Sequence, residues 1–290
     1  MIAYLILVHR YPKQFKRLFN AIYDPGNYYL VHVDKNSGSE LDDDIHIFLA
    51  DFPNSAVLKG KNILWGGYSL VDAELRGMSQ LLKMGKDWKY FINLSGQDFP
   101  LKNQQFIIDY LSKNPDKEFI KVLDQQKIRP ETMHRIKRYV VEFHHRIFET
   151  SMHRKFMVGV TPYIGNQWMI VSRAFCHFVC HDPLADRYKA FYTNTYIADE
   201  GFFQTVMMNT EGHGEIVNDD LRLIDWVEYG DVKLRPRTFT SVDISVLITS
   251  SNLFARKFDM NVDVAVFDAL EDHLQASAIT RSRTASMSRS

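Results

Sequence analysis

The chain has 290 residues, and its 46% hydrophobic content is enough to fill the core of one large α/β domain or two small ones. Thirty-five basic residues balance 35 acidic residues, so no net field favours nucleic acid or an anionic membrane surface as a partner. Any basic surface must therefore be local.

The N-terminal part of the sequence alternates the patterns of strands and helices. Apolar runs and helical spacing predict, in turn, a strand over 2–8, a helix over 12–22, strands over 28–33 and 57–58, a helix over 70–84 and a strand over 90–94. This order predicts βαβ units and a Rossmann-like α/β fold, with a mostly parallel central sheet flanked by helices. The opening apolar run is too short to cross a bilayer, so we expect a buried strand and no transmembrane segment.

The C-terminal part continues with shorter elements. The patterns predict helices over 106–111, 173–179, 199–208 and 242–249, and strands over 119–122 and 167–171. Basic and aromatic residues dominate 129–155, which we interpret mainly as a solvated face, with a minority of side chains left to line an acceptor groove. We expect a single domain over 1–274, and a disordered tail or a remnant of cloning over 275–290.

The two cysteines, Cys176 and Cys180, are four positions apart in a predicted helix. No other cysteine or histidine pair completes a zinc site, so we expect buried apolar thiols. The absence of a disulfide framework in the sequence favours a reducing, cytoplasmic location.

Polar residues directly after predicted strands are the first candidates for a ligand site, because ligands bind beyond the carboxyl ends of the strands in an open parallel sheet. These residues are His9 and Arg10, Asp34 and Lys35, and the segment from Ser95 to Asp98. Asp34 fits hydrogen bonding to a ribose or uracil, and it equally fits a simple turn.

The sequence carries no glycine-rich phosphate loop of the GxGxxG or GxxxxGK[ST] type. An Asp-x-Asp pattern for a metal-bound diphosphate is incomplete at residues 34–36, and its occurrence at 42–44 is more typical of a surface helix start. Without a metal, fixed cations must stabilise a departing diphosphate. The candidates are Arg235, Arg237, Arg256 and Lys257, for which a surface cluster is the alternative interpretation.

A sugar acceptor needs a base to take the proton of its attacking hydroxyl, and Glu200 is the best candidate. It stands beside Asp199 at the start of a predicted helix, among bulky apolar residues. The alternative is that both acids only favour the helix dipole. Aromatic side chains of the kind that sugars stack on are Trp65, Tyr68, Trp168 and Trp226, although such residues are more often part of a core.

Five segments, taken in order, carry a resemblance to a known family. They are IAYLILVH (2–9), AIYDPGNYYLVHVD (21–34), WKYFINLSGQDFPLK (88–102), DE (199–200) and LFARKFD (253–259). Together they resemble the core-2/I-branching β-1,6-N-acetylglucosaminyltransferase family, which also contains peptide O-xylosyltransferases. The resemblance extends from residue 2 to about residue 274.

The resemblance implies a GT-A fold and an inverting transfer from a UDP-sugar without a metal ion or other cofactor. It implies that Glu200 is the general base and that Lys257, with Arg235 or Arg237, holds the diphosphate. Further positions match the family's binding residues: Val8, His9 and Asp34 for the nucleotide, and Trp226 and Arg135 for the acceptor, to which we add Asp98 from its place after a strand.

These expectations define the partners. We expect GlcNAc as the first donor sugar and xylose as the second, a glycan or glycolipid acceptor, and no nucleic acid. The low cysteine content predicts a bacterial, cytoplasmic relative, with peripheral contact at the inner face of the membrane as an open alternative. The alternative function is a catalytically inactive module that binds a UDP-sugar or a glycan.

Overall fold

A computed structural model describes residues 1–144, 146–229 and 233–287 of the chain. The described chain forms two compact units, each built from separate segments. The first unit comprises Met1–His9, Gly26–Asn93 and Asp116–Asp220. The second unit comprises Arg10–Pro25, Leu94–Pro115 and Leu221–Ser290.

The strands of the described chain are, in order, β1 (Ile2–Val8), β2 (Tyr28–Val33), β3 (Ser55–Leu58), β4 (Tyr90–Ser95), β5 (Asp98–Pro100), β6 (Lys117–Ile120), β7 (Leu123–Asp124), β8 (Arg138–Phe143), β9 (Arg146–His153), β10 (Tyr163–Ile164), β11 (Met169–Ser172), β12 (Glu215–Val217), β13 (Arg222–Ile224), β14 (Trp226–Tyr229), β15 (Lys233–Pro236) and β16 (Phe254–Arg256).

The α-helices are α1 (Pro12–Ile22), α2 (Ser39–Leu49), α3 (Tyr68–Met84), α4 (Gln104–Ser112), α5 (Gln125–Ile128), α6 (His134–Lys137), α7 (Arg173–His181), α8 (Pro183–Tyr192), α9 (Phe202–Met208), α10 (Ile244–Thr249) and α11 (Ala265–Met287). Short 3-10 helices cover Lys35–Ser37, Pro130–Met133, Ala198–Glu200 and Ser241–Asp243.

A seven-stranded sheet forms the centre of the first unit, with the strand order β12-β6-β11-β4-β1-β2-β3. Strand β2 pairs in parallel with both β1 and β3, and β12 pairs in parallel with β6. Strand β11 is antiparallel to β4 and β6. The predicted α/β class with a mostly parallel central sheet is therefore confirmed.

Strand β1 is buried along its whole length, as its continuous apolar run predicts. Helix α3 packs against it, and Gly77 permits the close approach, because a Cβ at that position would stand 2.6 Å from Cδ2 of Leu5. Large buried side chains of the first unit, among them Trp88, Phe91 and Phe175, complete one continuous core.

The second unit contains a three-stranded sheet with the order β13-β16-β5. Its core includes the Phe99 ring, which packs edge-on against Phe258 and Phe267 with centroids 6.0 and 5.2 Å apart. Arg17 of α1 holds Glu271 of α11 through Nε and Oε1 at 2.7 Å. The N-terminal and C-terminal helices of the chain therefore meet in this unit.

Several predicted elements differ from the observed ones. The helix predicted over 199–208 is split into the 3-10 helix at Ala198–Glu200 and α9, with Gly201 between them. The predicted solvated face over 129–155 contains the antiparallel pair β8 and β9, whose β-branched and aromatic residues favour strands. Helix α11 continues to Met287, into the region predicted as a tail, and residues 288–290 lie outside the described residues.

Both cysteines lie in α7 as free thiols, Cys176 buried and Cys180 half-buried. Burial raises the pKa of the Cys176 thiol well above its ordinary value and raises that of Cys180 to about 12. Because these raised pKa values keep both groups protonated, the thiols are unreactive and pack as apolar side chains, as the sequence predicts.

Candidate active site

The carboxyl ends of β1 and β2 place three predicted nucleotide contacts in the first unit. Val8 is buried, and its carbonyl oxygen accepts the backbone N–H of Asp34 at 2.8 Å. His9 is exposed just beyond β1. A ligand could therefore reach the exposed residues after Val8, but not the buried Val8 side chain.

The Asp34 carboxylate is used within the fold. Its Oδ1 accepts the backbone N–H of Asn36 at 3.0 Å, which caps the following 3-10 helix, and that of Ile63 at 3.3 Å. Both interpretations of Asp34 from the sequence therefore remain compatible with its position, since it closes a turn and is only half-buried. The neighbouring His32 is buried, which lowers its pKa to about 4 and keeps its imidazole neutral.

Glu200 stands at the end of the Ala198–Glu200 helix with a half-buried carboxylate. Its Oε2 accepts a hydrogen bond from Nη1 of Arg135 at 2.7 Å. Among the described residues, Oε1 makes no hydrogen bond. Arg135, predicted to bind the acceptor, is thus a direct partner of the predicted base.

Two features fix the backbone around Glu200: the strained conformation of Ile197 and the hydrogen bond from Gly165. Ile197, which precedes the 3-10 helix, has φ 52°, a left-handed conformation that is unfavourable for a β-branched side chain. The Gly165 N–H donates to the Glu200 carbonyl oxygen at 2.8 Å. A Cβ at Gly165 would overlap the backbone oxygen of Lys121, so only glycine allows this contact.

Two buried carboxyl groups accompany Glu200. Burial, and then the adjacent Glu200, raise the pKa of Asp199 to about 7. Burial also raises the pKa of Glu74 to about 8, although its Oε1 accepts hydrogen bonds from Nδ2 of Asn93 at 2.7 Å and Nε2 of Gln167 at 3.2 Å. Glu74 therefore holds a proton at neutral pH. Nothing in the sequence singles it out, because one acid in a helical pattern looks like any other helical residue.

An aromatic cavity of about 410 Å³ also lies in the first unit. Its lining includes Trp65, Tyr196 and Glu149. The Trp65 side chain is 76% exposed and meets the Tyr196 ring edge-on, with the centroids 6.5 Å apart. Trp65 is therefore available as a stacking surface, whereas Trp168 is buried in the core.

The predicted cations lie in the second unit, where Lys257 is half-buried after β16. Its backbone N–H donates to the Arg237 carbonyl at 3.4 Å, and its carbonyl accepts the N–H of Phe239 at 2.9 Å. Burial and the charges of Arg10, Arg256 and Arg235 lower the pKa of its ammonium group. Four cations on one surface repel each other, and an anion would relieve that repulsion.

The structure separates the roles of the two candidate arginines. Arg237 donates through Nη1 and Nη2 to both oxygens of Asp243 at 2.9 Å, and through Nε to Asp225 at 2.7 Å. These contacts raise the pKa of Arg237 and satisfy its guanidinium group within the protein. Arg235 is exposed on β15. The geometry therefore favours Arg235 over Arg237 as a ligand contact.

Arg256 and Asp98 form an ion pair, with 2.8 Å between Nη1 and Oδ1. Asp98 is fully buried, and its Oδ2 accepts the backbone N–H of Ser95 at 2.8 Å. The carboxylate has no surface to offer to an acceptor, so we assign Asp98 to holding Arg256 in place of the predicted acceptor role. Arg256 in turn is a structural cation as well as part of the cationic surface.

Arg10 is a cation of this group that the predicted site did not include. Its Nη2 donates to Oε1 of Gln97 at 2.9 Å, and its guanidinium lies 4.7 Å from the centre of the Tyr11 ring. Its position directly after β1 was the signal in the sequence. Trp226, the predicted acceptor platform, is 43% exposed at the start of β14.

The described residues offer neither a metal cluster nor a membrane-spanning helix. Among residues 1–144, 146–229 and 233–287, no cluster of three or more His, Cys, Asp or Glu side chains could hold a metal ion. None of the helices in these ranges is both long enough and apolar enough to cross a membrane.

Comparison with known proteins gives a consistent family. The model of the Core-2/I-Branching enzyme family matches residues 2–250. Xylosyltransferase 2 of Canis lupus familiaris and of Mus musculus are each 31% identical over 294 residues, covering 95% of this chain and 34% of the relative. Xylosyltransferase of Ciona intestinalis is 31% identical, covering 93% and 34%. The chain thus spans about a third of the length of these relatives.

A solved structure is also similar in part. The crystal structure of S. aureus TarS 1-349 aligns with 60% of this chain and 48% of its own, at 11% identity and a TM-score of 0.30. A similarity this low carries no argument about function.

Proposed function

The chain belongs to the Core-2/I-Branching enzyme family, and from this membership we propose that it is an inverting glycosyltransferase that moves a sugar from UDP to a glycan hydroxyl without a metal ion. The observation that carries the proposal is the Glu200 carboxylate, which is oriented by Arg135 through one oxygen and keeps the other available. That arrangement suits a general base.

In the proposed reaction, Glu200 removes the proton of the acceptor hydroxyl as its oxygen attacks the anomeric carbon. The bond from that carbon to the diphosphate oxygen breaks, and its electron pair leaves with UDP. Attack from the face opposite UDP inverts the configuration. Arg135 supports this role because a carboxylate fixed through Oε2 presents Oε1 in one orientation.

The departing diphosphate acquires negative charge. We assign the stabilisation of this charge to the cationic surface of the second unit. Lys257 is held through its backbone by Arg237 and Phe239, so the point from which its ammonium group extends is fixed before the ligand arrives. Fixed charges stabilise a developing anion without reorganising. Arg235 is the accompanying arginine in this proposal, since Arg237 is satisfied by two carboxylates.

We assign the donor sugar from the relatives, and the acceptor contact from the exposure of Trp226. The relatives named xylosyltransferases, at 31% identity, reverse the order expected from the sequence, so we propose UDP-xylose first and UDP-GlcNAc second. Trp226, with its partly exposed indole, is our candidate for stacking on an acceptor sugar. Val8, His9 and Asp34 are assigned to the nucleotide by family position.

The first experiment is the thermal unfolding of the purified chain with UDP, UDP-xylose, UDP-GlcNAc and, as a control, GDP-mannose, all in excess chelator. A ligand that binds the native state raises the melting temperature. We expect shifts with the UDP compounds alone, and no shift with any of them would overturn the proposal.

Turnover then separates an enzyme from an inactive binding module. Transfer or hydrolysis of the stabilising donor should persist in chelator. Binding without any turnover would favour the inactive module, and turnover that chelator abolishes and Mn²⁺ restores would contradict a purely cationic site.

A further inference from the structure

The pair of strands β8 and β9, which we call the β8–β9 hairpin, is attached to the first unit by one face. Val140 is buried, and it exchanges hydrogen bonds with Asn194 at 3.1 Å through its N–H and 2.9 Å through its carbonyl. Glu142, on the same face of β8, accepts the backbone N–H of Ser69 at 3.0 Å. This face is therefore covered in part by the protein itself, and its Glu149 lines the aromatic cavity.

The opposite face of the hairpin is apolar and exposed. Val141 stands across from Phe148, and Phe143 stands across from Arg146. The Phe143 and Phe148 side chains are 62% and 48% exposed. Adjacent exposed phenyl rings on a single strand pair are unusual for a surface that meets only water, and such patches mark interaction sites.

The charge of the hairpin identifies the kind of partner. Residues 137–155 contain five lysine and arginine residues and only two acids, Glu142 and Glu149. Glu142 is bound to the Ser69 amide, and Glu149 is paired with Arg138 at 2.6 Å. The exposed Lys137, Arg146 and Lys155 therefore give this segment an excess of positive charge although the chain as a whole is neutral, and Arg146 stands on the exposed face of the hairpin.

The base of the hairpin is rigidly held. Arg154, directly after β9, donates to the carbonyl oxygens of Ile136 at 3.1 Å and Phe191 at 2.8 Å. Its guanidinium also lies 3.8 Å from the centre of the Phe191 ring. A fixed base presents the exposed face without a further cost in backbone ordering when a partner binds.

We propose that the exposed face of the β8–β9 hairpin binds an anionic lipid bilayer, with Phe143 and Phe148 among the headgroups and Arg146 against lipid phosphates. Phenyl rings beside cations are suited to the boundary between headgroups and acyl chains. A second copy of the chain is a poorer partner, because a symmetric contact would bring like charges together. The inference does not depend on the proposed reaction.

The test is sedimentation of the full 290-residue chain with phosphatidylcholine vesicles, with and without about one-third phosphatidylglycerol. We expect binding only to the anionic vesicles, weakening as salt is added. Joint replacement Phe143→Ser and Phe148→Ser should lower the partition coefficient by about tenfold or more. Arg146→Gln should lower it by about fivefold.

A matched control removes apolar surface elsewhere: Val242→Ser with Val246→Ser replaces two exposed side chains and should leave partitioning unchanged. Thermal unfolding of each variant verifies folding. Failure of the wild-type chain to bind anionic vesicles, or unchanged binding by the phenylalanine variant, would overturn the proposal.

Two other partners would give results that differ from those expected for a bilayer. If the wild-type chain bound heparin but not vesicles, an anionic glycan would replace the bilayer. If sedimentation equilibrium gave a dimer that the phenylalanine variant abolished, a second copy would replace it. Vesicle binding is measured without nucleotide sugar, so its failure leaves the donor-binding result untouched.

Discussion

Arg135 and Glu200, which are 65 positions apart in the sequence, form an ion pair with 2.7 Å between Nη1 and Oε2. The arginine expected to contact the acceptor therefore contacts the proposed base. A guanidinium on one oxygen restricts the rotation of the carboxylate, so its role is to position Glu200.

Glu200→Gln should lower the rate of transfer by about 10²–10⁴-fold, because an amide cannot take the acceptor proton. The amide oxygen retains an acceptor for Arg135, so we expect the melting temperature and UDP affinity to stay at wild-type values. Donor turnover and UDP titration by calorimetry measure the two effects. Unchanged turnover with intact UDP binding would remove Glu200 from the mechanism.

Arg135→Gln should lower turnover by about ten- to a hundredfold through loss of carboxylate orientation, with little change in donor affinity. Arg138→Gln is the matched control, because Arg138 makes a similar ion pair with Glu149 on the exposed hairpin. Steady-state kinetics of both variants, with separate kcat and KM, distinguish them. Equal effects of the two substitutions would contradict a positioning role for Arg135.

Lys257→Ala should weaken UDP binding by about 1.5–3 kcal/mol, the usual loss for a charge-assisted contact. Arg237→Ala should instead reduce the free energy of unfolding, by about 1–2 kcal/mol after allowance for partial exposure, because Asp225 and Asp243 lose their partner. Calorimetric UDP titration and urea denaturation measure these changes. A larger loss of UDP affinity in Arg237→Ala than in Arg235→Ala would reverse our choice between the two arginines.

The long elements and the mostly parallel class of the sheet were predictable, whereas the strand order and the partners inside the site were not. Periodicity predicts the observed bounds of β1, α1 and β2, since each has a strong local pattern. The burial of Asp98 against Arg256 arises from pairing of β5 with β16, a contact across 158 residues that no local pattern encodes. Likewise, the sequence identified Asp199 and Glu200 but gave no sign of Arg135 as their neighbour.

Glu74→Gln should change the pH dependence of stability. The raised pKa of Glu74, about 8 against an ordinary value near 4.5, means that the native state holds a proton that the unfolded chain has lost between these pH values. The free energy of unfolding of the wild-type chain therefore falls as pH rises through this window. The glutamine variant loses this contribution and should gain a few kcal/mol of stability relative to wild type between about pH 5 and pH 8.

Urea denaturation at several pH values checks this expectation, with Glu215→Gln, on β12 of the same unit, as the control for an exposed acid. Because Asp199 also has a raised pKa, some downward slope should persist in the Glu74→Gln variant. Parallel stability profiles for Glu74→Gln and wild type would show that Glu74 is ionised in the native state.

The interleaving of the two units has a consequence for synthesis on the ribosome. The second unit needs Arg10–Pro25, Leu94–Pro115 and Leu221–Ser290, and Arg17 meets Glu271 only after 254 further residues have been added. Helix α1 must therefore wait for α11, while much of the first unit can already assemble. A premature stop before α11 would leave Arg17 without Glu271 and Asp268 and would remove Phe267 from the core of the second unit, so truncated products should be prone to aggregation and proteolysis.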